Sequence, residues 1–200
     1  MAYWETVGAT KTFTHPLNLG WLAEVPHSAR ILDYGCGYGR TMAELTAAGF
    51  TSVAGADVSA ALLARGRTLH PGLRFDVMAT PPLVPHEPAT FDAVLLFAVL
   101  TCVPADQDQQ ALIAEVRRVL KPGGLLYVSD LLRHGDESRY SPDGVFTTSD
   151  GARCRHHDRP ALHRLLADFT LRREEELTVT TMNGHEARGV QLLAQYGPTP

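Results

Sequence analysis

Five residues have types and spacing that point to chemistry: Asp33, then Gly35, Gly37 and Gly39 at alternate positions, then Asp57. The glycines lie in "ILDYGCGYGR", between the apolar pair Ile31-Leu32 and a helix-like run. A glycine loop between a strand and a helix lets backbone N–H groups approach a nucleotide or an anion. The dinucleotide fingerprint is G-x-G-x-x-G. This loop reads G-x-G-x-G, and Arg40 occupies the place the third glycine of that fingerprint would need. Asp33, just before the loop, would repel a diphosphate and attract an ammonium or sulfonium. The loop therefore suits a nucleoside with a cationic amino-acid tail. Asp57 follows Gly35 by 57 − 35 = 22 residues. An acid about 20 residues on accepts from ribose hydroxyls in such architectures. The plain alternatives are a tight turn for the glycines and a helix cap for Asp57.

Other reactive side chains carry weaker signals. "CRHHD" places Cys154, His156, His157 and Asp158 together. Adjacent residues of an extended chain face opposite sides, so one histidine at most could join its neighbours at a metal, and no metal is expected. Cys36 lies in the loop without a base in sequence reach, which argues against a nucleophile. The three cysteines, Cys36, Cys102 and Cys154, are too sparse and odd for a disulfide framework. "RREEE" over 172–176 reads as a solvated edge.

The elements that must hold these residues alternate from about residue 30. "ARILDYG", "TSVAGADVS", "LRFDVMA", "FDAVLLFAVL" and "LLYVSDLL" read as strands, the fourth buried on both faces. Helices fall at "GRTMAELTAAG", at "AALLARGRTLH" with Ser59 as its cap, and at "DQDQQALIAEVRRVLKPGG". This order requires a parallel sheet with helices on both faces. After Leu132 a turn-rich stretch leads to a short helix, "PALHRLLADF". Two strands come next, "LRREEELTVTT" and "GVQLLAQY", which can pair as an antiparallel edge around "MNGHEAR". "THPLNLGWLAEV" is expected to form a helix over one end of the sheet. The chain reads as one unit, 1–200: a cap or lid over 1–28, a cofactor-binding core over 29–132, and acceptor-side and C-terminal elements over 133–200.

Length and composition restrict the partners. Two hundred residues suffice for a sizeable core. A net charge of −4 offers no basic excess for nucleic acid. The longest apolar run, residues 93–100, is far too short to span a bilayer, and the N-terminus lacks a signal-peptide pattern. A cytoplasmic protein is expected, without nucleic-acid or membrane partners. Only Lys11 and Lys121 are lysines, a skew that points to a GC-rich bacterial genome. Monomer and homodimer both remain open.

"ILDYGCGYGR", "VAGADVS", "FDAVLLFAVL" and "LKPGGLLYVSD" together resemble the class I S-adenosylmethionine-dependent methyltransferases, over about residues 31–132. The C-terminal part resembles small-molecule members more loosely. The resemblance implies a Rossmann-like, doubly wound α/β fold with a mostly parallel seven-stranded sheet, its last strand antiparallel. It implies S-adenosylmethionine as cofactor and S-adenosylhomocysteine as product. Asp33, Gly35, Cys36, Gly37 and Gly39 would line the methionine end, Asp57 would hold the ribose, and Val58 would pack on adenine. Phe97 and Ala98 would complete that cradle. The family usually has an acid after the third strand for the adenine amino group. Here the segment is "DVMATPP", so the Met78 or Ala79 backbone or the Thr80 hydroxyl is expected to substitute.

The reaction so implied moves a methyl group in line to an O, N or S atom of a small-molecule acceptor. Positioning can supply roughly 7–11 kcal/mol of such a barrier. A base, needed only for a neutral acceptor, adds roughly 10²–10⁴-fold. The base candidates are His134, His157 and Tyr140. The acceptor candidates are Tyr3, Trp4, Phe13, His15, Thr101, Arg133 and His156. Two other functions compete: a cofactor-binding domain without transfer, and a nicotinamide-dependent oxidoreductase, which Asp33 and Arg40 disfavour.

Overall fold

Strand β4 (Phe91–Phe97) sets the layering. Its side chains alternate: Ala93 and Leu95 enter the apolar cluster on one face of the sheet, Val94 and Leu96 the cluster on the other. A strand apolar on both faces must be covered on both. The structure is a computed structural model and describes residues 2–197. Residue 1 and residues 198–200, the outer bounds of the expected unit, lie outside the described residues.

Around β4 run β1 (Arg30–Tyr34), β2 (Ser52–Asp57), β3 (Arg74–Val77) and β5 (Leu120–Leu131), all parallel. Beyond β5 lie β9 (Glu186–Tyr196) and β8 (Phe169–Thr180), giving the order β3-β2-β1-β4-β5-β9-β8. β9 is antiparallel to both its neighbours, so the last strand of the chain is the one reversed strand of the sheet. This is the Rossmann-like arrangement expected from the alternation and the resemblance.

One face is covered by α4 (Asp106–Val119) through Leu112, Val116 and Val119, and by α5 (Arg159–Leu165) through Leu162. On the other, α2 (Arg40–Ala47) contributes Leu45, beside Leu22 and Phe50. Helix α3 (Ala60–Leu69) seats Leu63 against Phe75 and Met42. Local signals mark the helix starts. Ser59 accepts from the Leu62 N–H (3.1 Å) at α3, and Asp158 from the Ala161 N–H (2.7 Å) at α5.

Two expectations change. Residues 14–25 do not form an α-helix; they run extended into one 3₁₀ turn, Leu19–Leu22. Pro16 disfavours helical backbone before it, and the Asn18 side chain accepts from the Gly20 N–H instead. The segment still covers the sheet, with Trp21 stacked on Tyr127 at 5.2 Å. The turn-rich stretch after Leu132 also holds an unforeseen hairpin, β6 (Val145–Thr147) with β7 (Arg153–Arg155). A turn of helix, α1 (Ala2–Glu5), precedes these elements in the chain.

Edge strand β8 is exposed along most of its length. Its acids pair outward, Glu174 with Arg159 and His163, Glu176 with Arg159 and Arg188. Charges on an edge discourage pairing with another sheet. Stability should therefore come from the core: Leu192→Ala should cost about 2–5 kcal/mol, whereas Glu176→Ala should stay within about 1 kcal/mol. Urea denaturation of both variants checks this; equal losses would contradict it.

Candidate functional site

The carboxyl ends of β1, β2, β4 and β5 open into one cavity of about 1280 Å³. Single small-molecule sites occupy roughly 300–1,000 Å³, so this cavity has room for two ligands at once.

Its floor is built around Asp57, the last residue of β2. One carboxylate oxygen accepts from the Gly37 N–H (2.8 Å), the other from the Ser59 N–H (2.8 Å). The glycine loop and the start of α3 are thereby fixed to one side chain. A carboxylate has about four lone-pair sites, so Asp57 can still accept from a neighbouring diol. Gly35 and Cys36 complete the loop's attachment, both donating to the Ala56 carbonyl. Gly37 sits at φ +55°, and a Cβ there would lie 2.0 Å from the Phe13 ring. Gly39, at φ +83°, turns the chain into α2 with Phe75 against it. These two glycines serve the loop's conformation and packing and do not line the cavity. Ala98 is a second special backbone, φ +56° without being glycine, directly after β4.

Asp33 has a different character. It is buried, lines the cavity, and its carboxyl accepts no hydrogen bond from any described residue. Burial raises it from 3.8 to about 7, with the Arg40 charge pulling the other way. Arg40 donates to Glu44 and to the His15 carbonyl, while its Nε is buried without a partner. The Thr14 and Thr101 hydroxyls are likewise buried and unpartnered, and all three residues line the cavity. Buried polar groups ordinarily find partners. Three orphans and an unpartnered acid around one cavity are the donor and acceptor set of a polar ligand.

The structure brings most expected residues together. Asp33, Gly35, Cys36, Asp57, Val58, Met78, Phe97 and Ala98 line the cavity, as do Tyr3, Trp4, Phe13, His15, Thr101, His134 and His156. Ala79 and Thr80 do not; Thr80 forms a turn with Leu83, and Pro81 and Pro82 take the wall position. Arg133 is turned away, donating to the Ser141 and Pro142 carbonyls. Tyr140 stands behind the wall, its hydroxyl 2.9 Å from His156 Nδ1. His157 faces away from the cavity, against Gln109 of α4 (2.9 Å). The alternation that separates neighbouring side chains sends His156 in and His157 out. Among the described residues, no cluster could hold a metal ion.

The histidines of the cavity differ in surroundings. His134 Nδ1 lies 2.9 Å from the Leu132 carbonyl. A carbonyl only accepts, so the neutral ring carries its proton on Nδ1 and its lone pair on Nε2. His156 stacks on His134 (5.3 Å, 24°), and burial, with His134 and Arg139 nearby, lowers it to about 3. His15 is lowered to about 4 by burial and by Arg40.

The roof comes from three separate segments. Glu5 accepts from the Ala60 and Ala61 N–H groups at the start of α3, and Ser59 donates to the Trp4 carbonyl. Trp4, Phe13 and Tyr38 then pack edge to face and tilted over the loop. Lys11 pairs with Asp150 at 2.8 Å, Tyr3 donates to Asp150 at 2.9 Å, and Lys11 also donates to Asn183. The β6–β7 loop, through Asp150, and the β8–β9 turn, through Asn183, thus both meet the arm at Lys11. Sequence reading missed the hairpin wall and Arg40's part in the cavity. Three-residue strands carry no periodicity to read, and Arg40 drew notice only as a missing glycine.

Known proteins share this architecture. Residues 32–128 match the family model described as a methyltransferase domain. A ubiquinone biosynthesis O-methyltransferase of Xylella fastidiosa is 34% identical over 139 residues, 66% of this chain and 55% of that protein. The chain spans about half the length of the curated relatives it matches. Among solved structures, a SAM-dependent methyltransferase from Methanosarcina mazei superposes with a TM-score of 0.83 at 24% identity, covering 92% of this chain and 99% of that one. The Burkholderia thailandensis 1,6-didemethyltoxoflavin-N1-methyltransferase, solved with 1,6-didemethyltoxoflavin and S-adenosylhomocysteine, gives 0.66 at 20% identity, covering 88% and 75%. These likenesses show the fold.

The latch at Asp150 has a measurable consequence. Asp150→Asn should raise amide exchange in residues 3–13 and 146–152 by about tenfold, because the tie between arm and hairpin is lost while the core is untouched. Hydrogen–deuterium exchange reads this; unchanged protection would show that the aromatic packing alone holds the arm.

Proposed function

We propose that this chain, whose residues 32–128 match a methyltransferase domain, transfers a methyl group from S-adenosylmethionine to an oxygen or nitrogen of a small-molecule acceptor. The observation that carries the reading is Asp33, a buried acid facing the cavity beside the glycine loop with no partner of its own. An α-ammonium is the group it fits. The orphaned Arg40 Nε and Thr14 hydroxyl suit the carboxylate of the same amino-acid tail. Asp57 is placed for the ribose hydroxyls, and Val58, Leu62, Met78 and Pro82 offer adenine an apolar slot. Bound there, S-adenosylmethionine supplies a methyl group on a cationic sulfur that leaves as a neutral thioether.

The chain's own part is positioning, exclusion of water and removal of one proton. The roof of Trp4, Phe13 and the hairpin shields the site, which strengthens every electrostatic contact inside it. His134, its tautomer set by Leu132, presents Nε2 to take the proton from an acceptor hydroxyl or amine. Tyr140 is a positioning residue, holding His156 and the His134 backbone. His157, behind the wall, has no part in transfer.

Calorimetry with S-adenosylhomocysteine tests the cofactor half. Binding should be micromolar, and Asp57→Ala should weaken it by more than about tenfold, or 1.4 kcal/mol. Binding of NAD instead would overturn the assignment.

The pH dependence has a defined sign. Below about 7 the Asp33 carboxyl is protonated and attracts no ammonium. Affinity should therefore rise from pH 6 to pH 8, steeply at first and then level, with proton release on binding. Asp33→Asn should weaken binding and flatten the profile; a pH-independent wild type would remove Asp33 from the ligand's contacts.

A further inference from the structure

Two exposed guanidiniums, those of Arg139 and Arg153, line the mouth of the cavity. Neither forms an ion pair or donates a side-chain hydrogen bond to any described residue. Five acids line the same cavity, and none of them pairs with either guanidinium. Asp33 and Asp57 lie at the glycine loop, Asp108 on α4 and Glu186 at the start of β9. Asp150 is held by Lys11 and Tyr3.

Arg139 is nevertheless held in place. Its guanidinium lies 4.6 Å from the centre of the Phe146 ring and 4.9 Å from that of Tyr140. Stacking occupies the face of a guanidinium and leaves the N–H groups at its edge free. Those edges match a carboxylate two bonds at a time. The surrounding walls are flat rings: Phe146 meets His156 edge-on at 4.5 Å, and His156 stacks on His134. The Thr101 hydroxyl, buried and without a partner, lines the same cavity.

Building on the methyl-transfer reading above, we infer that the acceptor is a flat aromatic carboxylate: Arg139 and Arg153 grip its carboxyl group, and its ring hydroxyl or amine faces His134 and Thr101. A monoanion suits this place better than a phosphate dianion, because the acids of the lining oppose each added negative charge. A guanidinium also binds carboxylate at an exposed mouth with a modest desolvation cost, since it is weakly hydrated.

The test uses the full chain saturated with S-adenosylhomocysteine. The probes are 4-hydroxybenzoate, 3,4-dihydroxybenzoate, their methyl esters and phenyl phosphate, titrated by calorimetry. The acids should bind about tenfold or more tightly than the esters, as expected for losing one charge-assisted contact. In Arg139→Gln/Arg153→Gln the acids should fall to within about twofold of the esters, with S-adenosylhomocysteine affinity kept. Equal binding of acid and ester, no binding of any probe, tighter binding of phenyl phosphate, or a preference that survives the double substitution would overturn the inference. The first titration separates the two readings. Failure to bind S-adenosylhomocysteine overturns the methyl donor, whereas binding it without an acid preference overturns the carboxylate acceptor alone.

Discussion

The carboxylate of Asp57 is the contact on which the rest of the site depends. It joins the Gly37 and Ser59 amides, which belong to different loops. Each bond is charge-assisted and buried, and a charged acceptor is worth roughly 1.5–3 kcal/mol per bond. The consequences are geometric. With Gly37 fixed at positive φ, its bare Cα leaves the space that the Phe13 ring fills. With Ser59 fixed, the start of α3 presents the amides that Glu5 caps and the hydroxyl that Trp4 receives. The arm is thus docked on a surface that Asp57 shapes, and the arm in turn supplies Lys11 to Asp150. A continuous set of contacts runs from the end of a buried strand to the roof of the cavity.

Charge is distributed along that path with a consistent logic. Where the chain must be rigid, charges are satisfied inside the protein: Asp57 by amides, and Asp130 by the Thr101 and Leu131 amides at the end of β5. Around the cavity some are left open: Asp33 accepts no hydrogen bond from a described residue, Arg40 Nε is buried without a partner, and the exposed Arg139 and Arg153 form no ion pair with a described residue. Asp130 and Asp33 are both raised to about 7 by burial, yet only Asp33 lines the cavity. A shifted acid therefore marks burial in both cases and access to the cavity in one. The presence or absence of hydrogen-bond partners distinguishes them.

That distinction also explains how much was legible in the sequence. The core could be read because strand and helix periods are set by burial, as in β4, whose apolar run is the imprint of two covered faces. Asp33, Gly35 and Asp57 could be read because strand-end positions are fixed by the sheet itself. The helix expected over 14–25 failed because Pro16 and Asn18 override an apolar pattern that a single 3₁₀ turn presents equally well. His157 was placed with His156 because adjacency in sequence says nothing about which neighbour faces inward. The hairpin β6–β7 had no signal, since its strands are three residues long and are held by contacts to segments far away in the chain.

The two halves of the cavity consequently differ in stiffness. The donor half rests on strand ends and buried bonds, and opening it would break the sheet. The roof over the acceptor half is closed by an ion pair whose side chains are about one-fifth exposed and by aromatic edges. A pair of that exposure contributes on the order of 0–1 kcal/mol, and each aromatic contact roughly 0.5–1.5 kcal/mol. The arm is also tied by Glu5 to the start of α3, by Ser59 to the Trp4 carbonyl and by Arg65 to the Ala9 and Lys11 carbonyls, contacts that lie outside the sheet and can open without breaking it. Asp33, Asp57, Phe13 and Trp4 line the same cavity, so on the proposed reading a cofactor seated on the two acids would also touch the arm and favour its closed position.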